Sequence, residues 1–498
     1  MKKIIYQFFL LGSVVLIGAS CKKNITDLNT DPTLPVEVTS AALFTNASVN
    51  LSDQLASTNV NTNNFRLFAQ YWTETIYRDE TRYNLNGRSI PDRWWAGFYR
   101  DVIKDLSRAS EIAPTETSIL SAAQIKNRKA INEILTVYAY YHLLTTFGNV
   151  PYSEALDIDQ PAPKYDDAAE VFGKIATRLN DALAALDNST GGYGSGDVIM
   201  HDDIDGWKKF ANSLKFKMGM LVVDSDPATA QAMITASAAN VIANNTENIT
   251  MNYLSAPPNT NPVWEDIVQS GRHDFVGAKQ FVDLLNATND PRLPSFFDTT
   301  VATDPTTHRT LGYVGRNPGN NASAYNNYSQ LIHTKLATQD AKHTFFSYAE
   351  MEFLKAEAVE RGIAVGGTAE QHYNNGIDAS VEEWGGTAAD ALAYRSQPEV
   401  AYTTATGDYK EKIGVQSWIA YYNRGYDGWT QWRRLDHPTL VIPFLGAVQP
   451  FKDGETPDVI KRMTYPVVEQ NLNTANYDAA AAAIGKDQIT QKLWFDKF

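Results

Sequence analysis

Apolar residues along this chain recur mostly at the three- and four-residue steps of a helix. The clearest run is KEKIGVQSWIAYYNRGYDGWTQWRRLDHPTL, from Lys410 to Leu440. Val415, Trp418, Ile419 and Tyr422 fall there at i, i+3, i+4 and i+7, one face of a helix. Gly425 interrupts that face, as a residue that tolerates positive φ can at a helix end. Trp429, Trp432 and Leu435 resume it in three-residue steps, and Pro438 marks the stop. The pattern predicts two short helices meeting at a corner where indoles gather. Each indole needs a partner for its N–H, and Arg433 and Arg434 each bring five donors in a fixed fork. Such a corner reads as structural, with stacked rings and with arginines tying down loop carbonyls.

The same periodicity predicts a helix from about Ala41 to Leu55 and another carrying Trp95, Tyr99 and Val102. A long amphipathic one runs through Ile131, Ile134, Leu135, Tyr138 and Tyr141 until Gly148 ends it before Pro151. Phe172, Ile175, Leu179 and Leu186 mark the next. After the glycine-rich break STGGYGSGD comes DGWKKFANSLKFKMGML, whose partner helix opens after Pro227 and runs from about Ala228 to Ile242. FFSYAEMEFLKAEAVERG and TAEQHYNNGIDASVEEWG make two more, joined at Gly366 and Gly367. Alanines at close-packing positions and a spacing of roughly 34 to 40 residues suit tetratricopeptide-like hairpins, none able to bury its face alone.

Residues 245–344 break the pattern. They hold Pro257, Pro258, Pro262, Pro291, Pro294, Pro305 and Pro318, and only 275–286 predicts a helix. A long irregular stretch inside a helical protein is a candidate for function. Its rings, Trp264, Phe275, Tyr313, Tyr325 and Tyr328, argue against plain disorder. A second polar stretch, TIYRDETRYNLNGRS, with Trp72, Tyr77 and Tyr83 around it, also lacks a helical face. The predicted class is all-α: helix hairpins scaffold a long loop-rich region with minor β structure.

Composition sharpens this. Aromatic residues make up 11 % of the 498, an excess expected where flat apolar ligand faces are stacked upon. The formal net charge is −14, spread along the chain with no basic patch, which excludes nucleic acid as a partner. The lone cysteine, Cys21, rules out an intrachain disulfide. It follows a basic Lys2-Lys3 pair, an apolar run from Ile4 to Ile17 and the small residues Gly18-Ala19-Ser20. That is the layout of a lipoprotein signal, with acylation expected at Cys21 and the mature body held at a membrane. The expected organisation is a signal peptide at 1–20, a tether at 21–40 and one domain at 41–498. Its scaffold lies mainly in 41–244 and 345–498, and its binding region mainly in 245–344.

Several blocks resemble the SusD/RagB family, in its SusD-like branch. The corner carries Q-x-W-I-A-x(4)-G-x(2)-G-W-x(2)-W-R-R-x(3)-P; YYHLLTTFGNVPYSEAL, WKKFANSL, YAEMEFLKAEAVERG and IKRMTYPVVEQNLNTANY accompany it in order. DLNTDP near the start and DQITQKLWFD near the end also fit. Ile460 stands where the family often has proline. The resemblance implies a surface-exposed outer-membrane lipoprotein that captures a nutrient, commonly a glycan. It implies a partner too, a SusC-like TonB-dependent transporter over which such a protein sits as a lid.

Sugar rings stack C–H faces on aromatic rings and offer hydroxyls to Arg, Asp and Asn. Expected stacking residues are Trp72, Tyr77, Tyr83, Trp264, Tyr313 and Tyr325. Arg78, Asp266 and Arg272 are expected to bond hydroxyls or a ligand carboxylate. Asp202, Asp203 and Asp205 offer oxygens to Ca²⁺, but MHDDIDGW lacks a full ligand pattern and reads as a polar turn. No H-E-x-x-H, G-x-S-x-G or phosphate-cradling loop occurs, so no enzyme, cofactor or catalytic residue is expected. The rivals are peptide capture, a surface glycosidase, which needs only two carboxylates, and a helical scaffold for protein partners.

Overall fold

Helices form where the periodicity puts them. The structure, a computed structural model, describes residues 38–300, 312–321, 324–331, 333–452 and 454–498. Cys21 and the signal and tether before residue 38 lie outside these. Residues Ser40–Phe498 form one unit. Helix α1 (Ser40–Ala56) buries Phe44, Leu51 and Leu55. Helix α2 (Ala122–Phe147) opens on a capping box: Gln124 N–H donates to Ser121 Oγ at 3.2 Å, and Ser121 N–H to Gln124 Oε1 at 3.0 Å. It stops at Gly148, where φ is 86°. The expected amphipathic face is corrected here. From Ala130 to Phe147 every residue but Glu133 is buried, so α2 is a core helix wrapped by others rather than a surface one.

Asp167 caps α3 (Ala168–Ala185) and Asp203 caps α4 (Ile204–Leu221), each carboxylate accepting from the first-turn amides. Helix α5 (Pro227–Ser237) ends short of the expected Ile242. Its last hydroxyl, Ser237 Oγ, bonds back to Met233 O at 2.8 Å, and Asn240 N turns onto Ser237 O at 2.8 Å. Helices α6 (Tyr348–Glu360) and α7 (Ala369–Glu383) make the expected hairpin, capped by Ser347 and Thr368.

Helices α8 (Tyr409–Ala420) and α9 (Gly425–Leu435) make the corner. The reading of Gly425 is corrected: it opens α9, and the positive φ, 69°, belongs to Asn423. Gly425 is needed for closeness instead. A Cβ there would stand 2.3 Å from Arg66 N and 2.6 Å from Phe65 C, so α9 rests directly on the short helix Phe65–Phe68. The structural reading of the corner holds. Trp418 donates to Ala69 O at 2.9 Å, Trp429 to Ile460 O at 2.8 Å and Trp432 to Pro438 O at 3.0 Å. Arg433 lies 3.5 Å from the Trp429 ring centre and donates to Thr145 O and Lys461 O at 2.6 and 3.0 Å. Arg434 reaches Met220 O at 2.9 Å and Glu357 at 2.7 Å, so the corner ties α2, α4 and α6 together.

Two short antiparallel pairs complete the described fold. Strand β1 (Trp72–Glu74) pairs with β3 (Phe275–Gly277), and β2 (Ile249–Met251) with β4 (His343–Phe346). The helix expected from residue 275 therefore begins only at Lys279 and runs to Ala287. Phe275–Gly277 are spent on Trp72–Glu74, with Glu74 opposite Phe275 and Trp72 opposite Gly277. That pairing joins the two stretches that had no helical face.

Candidate functional site

Beyond Glu74 the chain leaves β1 as a polar loop, and before Phe275 it arrives from the π-helical turn Trp264–Gln269. Between the two lies a cleft of about 620 Å³, walled by Asn61, Tyr77, Arg88, Arg272, His273 and Asp274 among others. Thr75 N–H donates to Asp274 O at 2.7 Å and closes its end. Tyr77 is 67 % exposed and holds φ at 54°, a conformation that non-glycine residues adopt at a cost and that gathers at functional sites. Arg272 Nε donates to Asp274 Oδ2 at 2.7 Å, and its guanidinium lies 4.8 Å from the Phe275 ring centre. Arg88 Nε is 3.2 Å from Glu80 Oε1. His273 and Tyr325 meet at the rim, ring centres 5.4 Å apart. The wall thus offers one open ring and fixed cationic donors.

The structure sorts the nine expected ligand residues. Tyr77 and Arg272 line the cleft, Tyr325 joins its rim, and Arg78 stands next to Tyr77, donating Nη1 to Thr75 O at 2.5 Å. Trp72 and Tyr83 are corrected: they are 1 % and 3 % exposed and belong to the core. A ring on a strand covered on both faces has no ligand to meet. Trp72 Nε1 donates to Tyr422 Oη at 3.0 Å, and Tyr83 packs edge-on against Phe68. Asp266 lies outside the cleft wall. Its carboxylate accepts from Ser57 Oγ, Thr58 N and Thr58 Oγ1 at 3.1 to 3.2 Å, fastening the turn after α1, and burial holds it above the usual carboxylate range. Trp264 is half-buried at the head of the π-helical turn, and Tyr313 is half-buried against the core; both lie outside the cleft wall.

The Asp202–Asp205 turn is spent internally. Asp202 accepts from Gly192 N and Tyr193 N at 2.6 and 2.8 Å, Asp203 caps α4, and Asp205 bonds Asn188. Arg82, Arg88, His273 and Phe444 were not foreseen. Phe444, 51 % exposed in the non-helical run IPFLG, meets the criterion of a ring in an irregular proline-bearing segment that singled out the others.

Beneath the loop sits a buried acid pair, Glu74 and Glu80, both 0 % exposed. Glu74 Oε2 accepts from Thr81 N and Oγ1 at 3.0 and 2.8 Å; its Oε1 and Glu80 Oε2 have no hydrogen-bond partner, and Glu80 Oε1 has only the ion pair with Arg88. Burial pushes both carboxyls up, and for Glu74 the neighbouring Glu80 adds to it.

A larger cavity of about 690 Å³ opens between β4, the end of α7 and the corner at Asn423. Its two arginines are committed. Arg66 donates to Asn423 Oδ1, Ser57 O and Ala56 O, and Arg424 to Glu350 and Phe345 O. It therefore suits the scaffold better than a ligand.

A family model described as starch-binding and associating with outer membrane matches residues 32–466. No curated protein matches. Among solved structures, a chitin-binding protein is 25 % identical over 92 % of this chain and 100 % of its own, with a TM-score of 0.73. A SusD homologue from Bacteroides vulgatus is 22 % identical over 88 % of this chain and 92 % of its own, TM-score 0.75. A chitin-binding SusD homologue from Flavobacterium johnsoniae is 21 % identical over 92 % and 98 %, TM-score 0.74.

Proposed function

From the premise that the chain belongs to the SusD-like family, we propose that it captures an oligosaccharide outside the cell and passes it, unchanged, to a SusC-like TonB-dependent transporter. Lipid on Cys21 would hold it at the outer membrane; among the described residues no helix is long and apolar enough to cross one. The observation that carries the reading is the cleft beside β1. Tyr77 offers an open ring face, and Arg88 and Arg272 are fixed by Glu80 and Asp274 at its wall. A pyranose placed there gains a stacked face and oriented hydroxyl partners. The chitin-binding relatives support a sugar as the ligand. Among the residues lining the cleft, Asp274 is the single carboxylate, where glycoside hydrolysis needs two facing one another.

Calorimetric titration with starch- and chitin-derived oligosaccharides tests this. Wild type is expected to bind without turnover, and Tyr77→Ala to lose most of the affinity while keeping the fold. Hydrolysis of any sugar, or an unchanged affinity in Tyr77→Ala, overturns it. Tight binding of peptides alone would move the ligand class from sugar to peptide. Co-purification with a transporter from the native membrane tests the partner.

A further inference from the structure

Three guanidiniums converge at the end of β1. Arg82 N–H donates to Arg78 O at 3.1 Å, so one turn of the loop carries both residues. The Arg82 side chain donates to Gly319 O at 2.9 and 2.7 Å and to Asn321 Oδ1 at 2.6 Å. Arg316 donates Nη2 to the next carbonyl, Asn320 O, and Nε to Glu74 O at 3.2 Å. Arg82 and Arg316 thus both fasten the turn at residues 318–321, next to the cleft, and the charge of Arg78 is felt by both.

Their surroundings are unusual for this chain. The net charge is −14, and the neighbouring Arg88 and Arg272 are each paired with a carboxylate. Among the described residues, Arg78, Arg82 and Arg316 form no ion pair; the exposed Asp79 is near Arg82 but beyond pairing distance. Arg316 is 0 % exposed, and its Nη1 has no partner; neither has the buried Nε of Arg78. Burial lowers the hold of Arg82 and Arg316 on their protons, and the neighbouring guanidiniums lower it further. Like charges held together without a carboxylate are costly, and an anion at the exposed edge of the cluster, beside Arg78 and Arg82, would offset that cost.

Rings flank the cluster. Tyr77 precedes Arg78 and is 67 % exposed; Phe444 lies 5.6 Å under the Arg82 guanidinium and is 51 % exposed. Phe444 N–H donates to Pro318 O at 2.9 Å, which fixes that ring to the same turn. The order along the surface is ring, guanidiniums, ring.

We propose that the captured glycan is acidic, and that Arg78 and Arg82, backed by the buried charge of Arg316, receive its carboxylate or sulfate group while Tyr77 and Phe444 carry adjacent sugar rings. The planar forks match such oxygens in pairs, as a hydroxyl does not. This rests on the cleft reading and narrows it.

Titration at low and high salt with oligogalacturonate, a sulfated galactan oligosaccharide and neutral maltohexaose tests it. The two acidic arms separate carboxylate from sulfate. Acidic ligands are expected to bind at least about tenfold more tightly than the neutral one at low salt, with the preference shrinking as salt screens it. Arg78→Gln and Arg82→Gln, both at partly exposed positions, are expected to erase the preference, whereas Tyr77→Ala weakens acidic and neutral ligands alike. Equal affinity for neutral and acidic ligands, or a preference surviving in both glutamine variants, overturns the acidic assignment and leaves the cleft reading standing. An acid preference that needs the arginines but ignores Tyr77→Ala keeps the assignment and removes the cleft. Failure of every oligosaccharide to bind overturns both.

Discussion

Replacing Gly425 by alanine tests how the helical corner holds the ligand face. Residue 425 opens α9, where alanine would ordinarily help: glycine costs a helix up to about 1 kcal/mol relative to alanine. The surroundings reverse the sign. The added Cβ would lie 2.3 Å from Arg66 N, 2.6 Å from Phe65 C and 2.7 Å from Arg66 Cα, all backbone atoms. Ordinary carbon contacts are near 3.5 Å, so the two backbones must part by about 1 Å. Overpacking of this kind costs about 1–3 kcal/mol. The parted segment also carries the Arg66 bonds to Asn423, Ser57 and Ala56, and the Trp418 bond to Ala69 O. Weakening one or two of them adds about 1 kcal/mol each. The expected net loss is about 1–4 kcal/mol. Denaturant titration should show a lower midpoint with unchanged slope. Ligand affinity should fall too, because the chain passes from Phe65–Phe68 straight into β1 and Tyr77. Gly173→Ala is the control. It lies in α3, and a Cβ there meets nothing within 4 Å, so alanine should stabilise by about 0.5–1 kcal/mol. A Gly425→Ala protein as stable as wild type would refute the argument that closeness, rather than backbone freedom, selects glycine there.

Tyr77→Ala should leave stability within about 0.5 kcal/mol, since the ring is exposed, yet weaken binding by about 1–2 kcal/mol; denaturation and calorimetry read the two separately. Arg433→Met should cost about 2–5 kcal/mol by orphaning Thr145 O and Lys461 O, with ligand affinity unchanged in the folded protein. Asp496 is 4 % exposed, neither of its oxygens has a hydrogen-bond partner, and burial raises it from 3.8 to about 6. A raised carboxyl binds its proton more tightly when folded, so its contribution to stability falls as pH rises from about 4 to about 6. Asp496→Asn should therefore stabilise at pH 7, by up to about 3 kcal/mol, and do nothing near pH 4. Denaturation midpoints across that range would show it.

The helices were legible because a buried face repeats every three to four residues, and α1, α6, α7 and the corner lie within a few residues of their expected bounds. Three-residue strands carry no period, so β1 and β3 could not be seen. Their pairing depends on segments some two hundred residues apart in the chain. That blind spot also decided which candidate residues survived. Trp72 and Tyr77 are both rings in a polar, non-helical stretch, and composition cannot tell them apart. Strand pairing buries the first and hands its N–H to Tyr422, whereas the second follows the strand's end, where φ turns to 54° and lifts the ring into solvent. Arg82 and Arg316 were hidden for the converse reason. A guanidinium is conspicuous when its carboxylate is missing, and that is a property of neighbours. Arg272 has Asp274 two residues away and looked like a ligand contact, but it is the better satisfied of the two kinds. Arg316, in a glycine-rich run with nothing to mark it, is left with no carboxylate and a buried donor to spare.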